Sequence, residues 1–169
     1  MSALAGGEPT QAQLPVDERP PGPGEGLSGP GVTAGQRHDA GMTVRRQVLS
    51  DEHVDRAEAG TTAFTADFQD LITRYAWGEI WTRPGLDRRT RSAITLTALI
   101  AQGHWGELEM HVRAARRNGL TFEEIGEVLL QSAVYCGVPD ANHAFAIAQR
   151  VMQEETTAAG PDAGAGEDP

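Results

Sequence analysis

The chain has 169 residues and a mass of 18.0 kDa, enough for one compact domain with tails and too little for two catalytic domains. Acidic residues outnumber basic ones by 24 to 14, and the formal charge of -10 with a pI near 4.9 sets up a field that repels nucleic acid and anionic membranes. The single cysteine, Cys136, excludes an internal disulfide, a Cys-x-x-Cys redox pair and cysteine-based zinc spacing, and suits a reducing compartment.

The N-terminus MSALAGGEPTQAQLPVDERP has no basic start followed by an apolar run, and nowhere do about 18 apolar residues follow one another. A cytoplasmic location is therefore expected. Residues 1–40 are rich in proline and glycine (ERPPGPGEGLSGPG) and nearly devoid of large apolar side chains, the composition of a disordered arm. AAGPDAGAGEDP has the same character with added acid and marks a tail over residues 157–169, which leaves residues 41–156 as the folded unit.

Within that unit only Pro84 and Pro139 interrupt, and no strand-type alternation is visible, so an all-α fold is expected. Short helices are predicted over residues 42–49 and 51–59, the second started by Ser50 or Asp51 and ended by Gly60. From Thr62 the residues Phe64, Phe68, Leu71, Ile72, Tyr75 and Ile80 recur at helical steps until Arg83-Pro84-Gly85. Residues 87–103 contain AITLTALIA, apolar almost all round, as in a helix surrounded by others or by a partner subunit. A helix over residues 104–118 closes at Gly119, and Thr121 with Glu124 forms a capping box for the next. That helix carries the stripe Ile125, Val128, Leu129, Ser132, Ala133 and Cys136. After a Gly137-Val138-Pro139 break, a last helix carries Ala144, Ile147, Ala148 and Val151.

His104, Glu107 and His111, spaced three and four apart, project from one face of a helix. A carboxylate one turn before an imidazole can orient the ring and form a proton-transfer pair near neutral pH, although such pairs also decorate exposed helix faces. The set departs from His-Glu-x-x-His, and three ligands over two turns of one helix converge poorly on one ion, so no metal is expected. Arginines cluster at Arg83, Arg88, Arg89 and Arg91 and again at Arg113, Arg116 and Arg117, with Arg45 and Arg46 near the start of the unit. Their guanidinium forks suit carboxylates, and ordinary pairing with nearby acids is the alternative. Trp77 and Trp81 are one turn apart and can wall a pocket or fill core. Cys136 reads as packing, and His143 is a further candidate for a site or a subunit contact.

The segments GMTVRRQVLSDEHVDRA, FQDLITRYAWGEIWTRPGLDRRTRSAITLTALIA and ELEMHVRAARRNGLTFEEIGEVLLQSAVYCGVPDANHAF together resemble the carboxymuconolactone decarboxylase family across essentially the whole unit. The resemblance implies an alkylhydroperoxidase D-like helical bundle, assembled as a homo-oligomeric ring, commonly of six copies. It also implies conversion of 4-carboxymuconolactone to 3-oxoadipate enol-lactone and CO2 in protocatechuate catabolism by the β-ketoadipate pathway. In the peroxidase branch of the superfamily a Cys-x-x-Cys-x-x-x-His motif falls where this chain has His104, Glu107 and His111, so both redox thiols are absent. The implied substrate supplies its own electron sink and needs no cofactor. His111, oriented by Glu107 and assisted by His104, is expected to protonate carbon. Arg45, Arg83, Arg88 and Arg91 are expected to bind the carboxylates, with Trp77, Trp81 and His143 around them. The alternatives are another acid substrate, weak peroxidase activity, or a non-catalytic oligomeric binding protein.

Overall fold

The computed structural model of the chain describes residues 31–159. Among them are seven α-helices and one π-helical segment, and no strand: α1 (Ala34–Leu49), α2 (Asp51–Ala59), α3 (Ala66–Ile72) running into the π segment (Thr73–Ile80), α4 (Arg88–Gln102), α5 (Trp105–Arg117), α6 (Phe122–Cys136) and α7 (Val138–Ala159). None of these helices is long and apolar enough to cross a membrane.

Helix α1 starts earlier than the expected edge of the folded unit at residue 41. Thr33 Oγ1 accepts from the Gln36 backbone N–H while Gln36 Oε1 accepts from the Thr33 N–H at 2.8 Å, a capping box that fixes the start. Helix α7 likewise continues past residue 157 to Ala159. The remainder of the expected arm, residues 1–30, and of the expected tail, residues 160–169, lies outside the described residues.

Local chemistry sets the other boundaries. Asp87 caps α4, and Gly103, at φ 67°, ends it in the left-handed conformation that only glycine adopts freely. Thr121 and Glu124 form the expected capping box of α6. The expected Gly-Val-Pro break is shorter than predicted: Gly137 alone turns the chain at φ 105°, and Pro139 sits in the first turn of α7, where its missing N–H has no helical partner to lose.

Two hydrophobic clusters hold the helices together. The larger joins α4 to α7 through Leu96, Ile100, Leu108, Val112, Ile125, Leu129, Ile147 and Val151. The smaller gathers Val44, Val48, Leu49, Val54, Trp77 and Ala114, with Trp81 and Met110 at its margin, so that α1 packs on α5 and carries α2 and the π segment with it. The apolar stripe predicted from Thr62 onward does not face a core: Phe64 is 95% exposed, and Phe68, Leu71 and Tyr75 are exposed as well. Helix α4 is half-covered, with Leu96 and Ile100 buried and Ile94 facing outward.

Candidate active site

Helix α5 supplies one wall of the site and the corner between α1 and α2 supplies the other. Ser50 makes that corner. It is the one non-glycine residue with positive φ among the described residues, at φ 83° and ψ 157°, a region nearly confined to glycine. Its Oγ accepts from the His53 backbone N–H, which places His53 in the first turn of α2. From across the corner, Arg117 of α5 donates through Nε to the Val48 carbonyl at 2.9 Å and through Nη2 to the Leu49 carbonyl at 3.0 Å. These are end-of-helix carbonyls that lack helical partners, so the guanidinium caps α1 and ties it to α5.

Between the two walls lies a cavity of about 230 Å³, lined by Leu49, Ser50, His53 and Arg56 on one side and by Gly106, Glu109, Met110, Arg113 and Arg117 on the other. Arg113 is paired with Glu109 and Glu154. Glu109 also accepts from Arg150 at 2.7 Å, and these two arginines hold its carboxyl below the usual range. Arg56 has no carboxylate within ion-pair distance among the described residues, and Arg117 is spent on backbone carbonyls. The lining carries three arginines against one glutamate, with Glu52 beside it in the field of Arg56 and Arg117, so the cavity is locally basic within an acidic protein.

One position beyond the lining Met110, His111 is largely buried, and its Nδ1 is sealed from solvent with no hydrogen-bond partner. Its pKa is pushed down to about 4 by burial first and then by the nearby His53, against an opposing pull from Glu107. The ring is neutral at pH 7. His53 is also held below its ordinary value, by burial and then by the charges of Arg56, Arg45 and Arg117. Arg45 of α1, 5% exposed, lines a separate cavity with Glu58, Gln69 and Thr73, and its charge is felt at His53. Its Nη1 donates to Thr73 Oγ1 and its Nη2 to Gln69 Oε1, each at 3.1 Å, while its Nε is buried without a partner. No carboxylate is hydrogen-bonded to this buried cation, and burial lowers its pKa.

The structure thus brings Glu107, His111 and Arg45 toward one region and leaves the other expected residues elsewhere. His104 is not on the face of α5: it precedes the helix, is exposed, and its Nε2 lies 3.3 Å from Gln102 Oε1. Glu107 is exposed in the first turn and influences His111 through its field, without a recorded hydrogen bond. Arg83 is exposed and uses its carbonyl to accept from Arg91, and Arg88 donates to Gln47. Trp77 and Trp81, with ring centroids 5.2 Å apart, fill the smaller hydrophobic cluster, and His143 stacks on Trp105 at 4.5 Å. None of these lines the cavity. Reading the residues one by one missed His53, Arg56 and, as a wall residue, Arg117. The available signal was Ser50 opening a helix whose first two turns carry His53 and Arg56 on neighbouring positions. Among the described residues no group of three or more His, Cys, Asp or Glu is arranged to hold a metal ion.

An all-helical unit with this imidazole and guanidinium pocket matches the carboxymuconolactone decarboxylase family over residues 66–150, and the chain belongs to that family. It is 44% identical over 119 residues to a 4-carboxymuconolactone decarboxylase of Acinetobacter baylyi, covering 70% of this chain and 89% of that protein. It is 46% identical over 116 residues to nitrosuccinic acid decarboxylase npaB of Metarhizium robertsii, covering 69% and 81%. A 4-carboxymuconolactone decarboxylase from Pseudomonas putida is 54% identical over 44 residues, which is 92% of that sequence.

Proposed function

We propose that this protein is a carboxy-lyase that converts 4-carboxymuconolactone to 3-oxoadipate enol-lactone and CO2. The observation that carries this reading is the 44% identity to a 4-carboxymuconolactone decarboxylase over nearly the whole of that relative, in a chain whose α5 wall builds an arginine- and histidine-lined cavity.

The chemistry asks little of the protein. The departing carboxylate sits on an sp³ ring carbon, and when its C–C bond breaks the electron pair moves through the ring double bond into the lactone carbonyl. Catalysis then consists of holding the dianion, favouring the dienolate over the carboxylate, and delivering one proton to the carbon next to the carbonyl. Arg56 and Arg117, with Arg45 behind them, supply the positive field for the carboxylates. His111 stays neutral in the empty site.

A second substrate is favoured by the fungal relative. Nitrosuccinic acid, like the lactone, is a succinate-type dianion whose reacting carbon carries its own electron sink, there a nitro group. Chelator-treated protein in D2O, given each acid separately and followed by NMR, decides between them. CO2 from the lactone with deuterium next to its carbonyl is the expected result. CO2 from nitrosuccinate alone would transfer the assignment to the second reading, and none from either would remove the lyase reading.

The exposed stripe of Phe64, Phe68, Leu71 and Tyr75 supports a homo-oligomer in which further copies of the chain cover it. Phe68→Glu is expected to lower the mass seen by light scattering.

A further inference from the structure

Resting on the decarboxylase reading above, we propose that His53 is the group that touches the substrate and hands the proton to carbon, and that dianion binding is what loads it with that proton. Two imidazoles lie in this region, and the geometry separates their roles. His53 lines the cavity, whereas His111 is not among the lining residues and its Nδ1 is sealed from solvent. A proton donor must reach the reacting atom within hydrogen-bond distance, directly or through one water, and His53, as a lining ring, meets that condition.

The charges around His53 explain the loading. Burial is the first cause that disfavours a cationic ring, Arg56 on its own helix, Arg45 on α1 and Arg117 on α5 add to it, and the neighbouring Glu52 lies in the field of Arg56 and Arg117. Across the cavity stand Arg113 and Glu109, already paired with each other, and His111 adds repulsion if both rings are charged. The empty site therefore holds a neutral His53. A bound dianion reverses the sign of this field, because its carboxylates offset the guanidinium charges and add attraction of their own. One proton enters from solvent on binding. In the reaction the C–C bond to CO2 breaks, the electron pair passes to the lactone carbonyl, and a new C–H bond forms from the imidazolium N–H. The ring returns neutral, and each turnover consumes the one proton that binding brought in. The strained corner at Ser50 and the Arg117 clamp fix the backbone that carries His53.

The experiment pairs kinetics with a titration that needs no turnover. Full-length wild type and His53→Gln are compared on 4-carboxymuconolactone across pH, with His53→Asn as the second variant if the first fails to fold. The expected result is a drop in kcat of about 100-fold or more, KM within about threefold, and loss of the basic limb of the kcat profile. In parallel, ¹³C-histidine-labelled wild type at pH 7 is titrated with succinate, an unreactive dianion. His53 should move to its protonated position, with proton uptake seen in weak buffer. Wild-type kcat and pH profile in the variant, or a His53 signal that succinate leaves neutral, would overturn the proposal. Wild type that releases no CO2 would instead sink the lyase reading, while the succinate titration still decides whether His53 is loaded by a dianion.

Discussion

Gly41 of α1 and Gly78 of the π segment touch where the two elements cross, so closely that a Cβ on Gly41 would lie 2.1 Å from the Thr73 carbonyl oxygen and 2.8 Å from the Gly78 nitrogen. A Cβ on Gly78 would meet the Arg37 carbonyl oxygen at 2.0 Å. Backbone atoms cannot move aside as a flexible side chain can. This crossing sets how deeply Arg45, one turn beyond Gly41, reaches toward Thr73. Gly41→Ala is accordingly expected to destabilise the protein by about 3 kcal/mol, and urea denaturation at constant m-value checks it. An unchanged midpoint would mean that the crossing is looser than described.

Ser50 offers the opposite case. Its φ of 83° is strained for serine and free for glycine, while its capping bond to the His53 N–H is long, at 3.4 Å. Ser50→Gly exchanges a strain of about 1–2 kcal/mol for a few tenths of lost capping and a more flexible unfolded chain. A net gain of roughly 1 kcal/mol is expected in thermal or urea denaturation. Ser50→Ala removes the cap and keeps the strain, so it should fall below wild type.

His111 makes stability depend on pH in a defined direction. Its pKa of about 4 in the folded state lies below the ordinary histidine value, so above pH 6.5 the ring is neutral in both states and contributes no pH dependence. As pH falls from 6.5 toward 4 the unfolded chain binds a proton that the folded one refuses, and stability is lost, by about 3 kcal/mol in total. His111→Gln should flatten this part of the stability profile. Parallel slopes for the two proteins between pH 7 and 4 would show that the ring is not held neutral.

Arg45 tests whether a buried cation serves stability or function. It is almost fully buried, hydrogen-bonded only to the neutral Thr73 and Gln69, and has an unpartnered Nε. Removing a poorly compensated buried charge in favour of an apolar side chain of similar length is often neutral or stabilising. Arg45→Met is expected to leave the unfolding free energy within about 1 kcal/mol of wild type while kcat/KM falls about tenfold as the cavity loses positive field. A large loss of stability with unaltered kinetics of the folded fraction would assign Arg45 to the fold alone.

The sequence made local rules legible and hid those that depend on tertiary distance. Thr121 with Glu124, Ser50 before α2 and Gly119 after α5 could be read because capping is settled within a few residues. Thr33 with Gln36 carries the same kind of signal, but proline and glycine nearby mask it, and Gly41 looks like a helix breaker until the π segment that requires it is seen. The stripe from Phe64 to Ile80 was legible as periodicity, yet periodicity does not say which face meets a core. Where the chain leaves the π segment, the bond from the Trp81 N–H to the Ala76 carbonyl still shows the widened turn, which changes the register. The His/Glu spacing on α5 pointed to a helix that lines one side of the cavity. His53 could not be found that way, because only the docking of α2 against α5 makes it a neighbour of His111.

The two hydrophobic clusters have only α5 in common. The four-helix part from α4 to α7 carries the larger core, and the corner formed by α1 and α2 is laid against it as a separate module that closes the cavity. Acceptance of one acid rather than another can therefore be rewritten at Ser50, His53 and Arg56, by evolution or by design, while Leu49 and Val54 between them keep the smaller core intact.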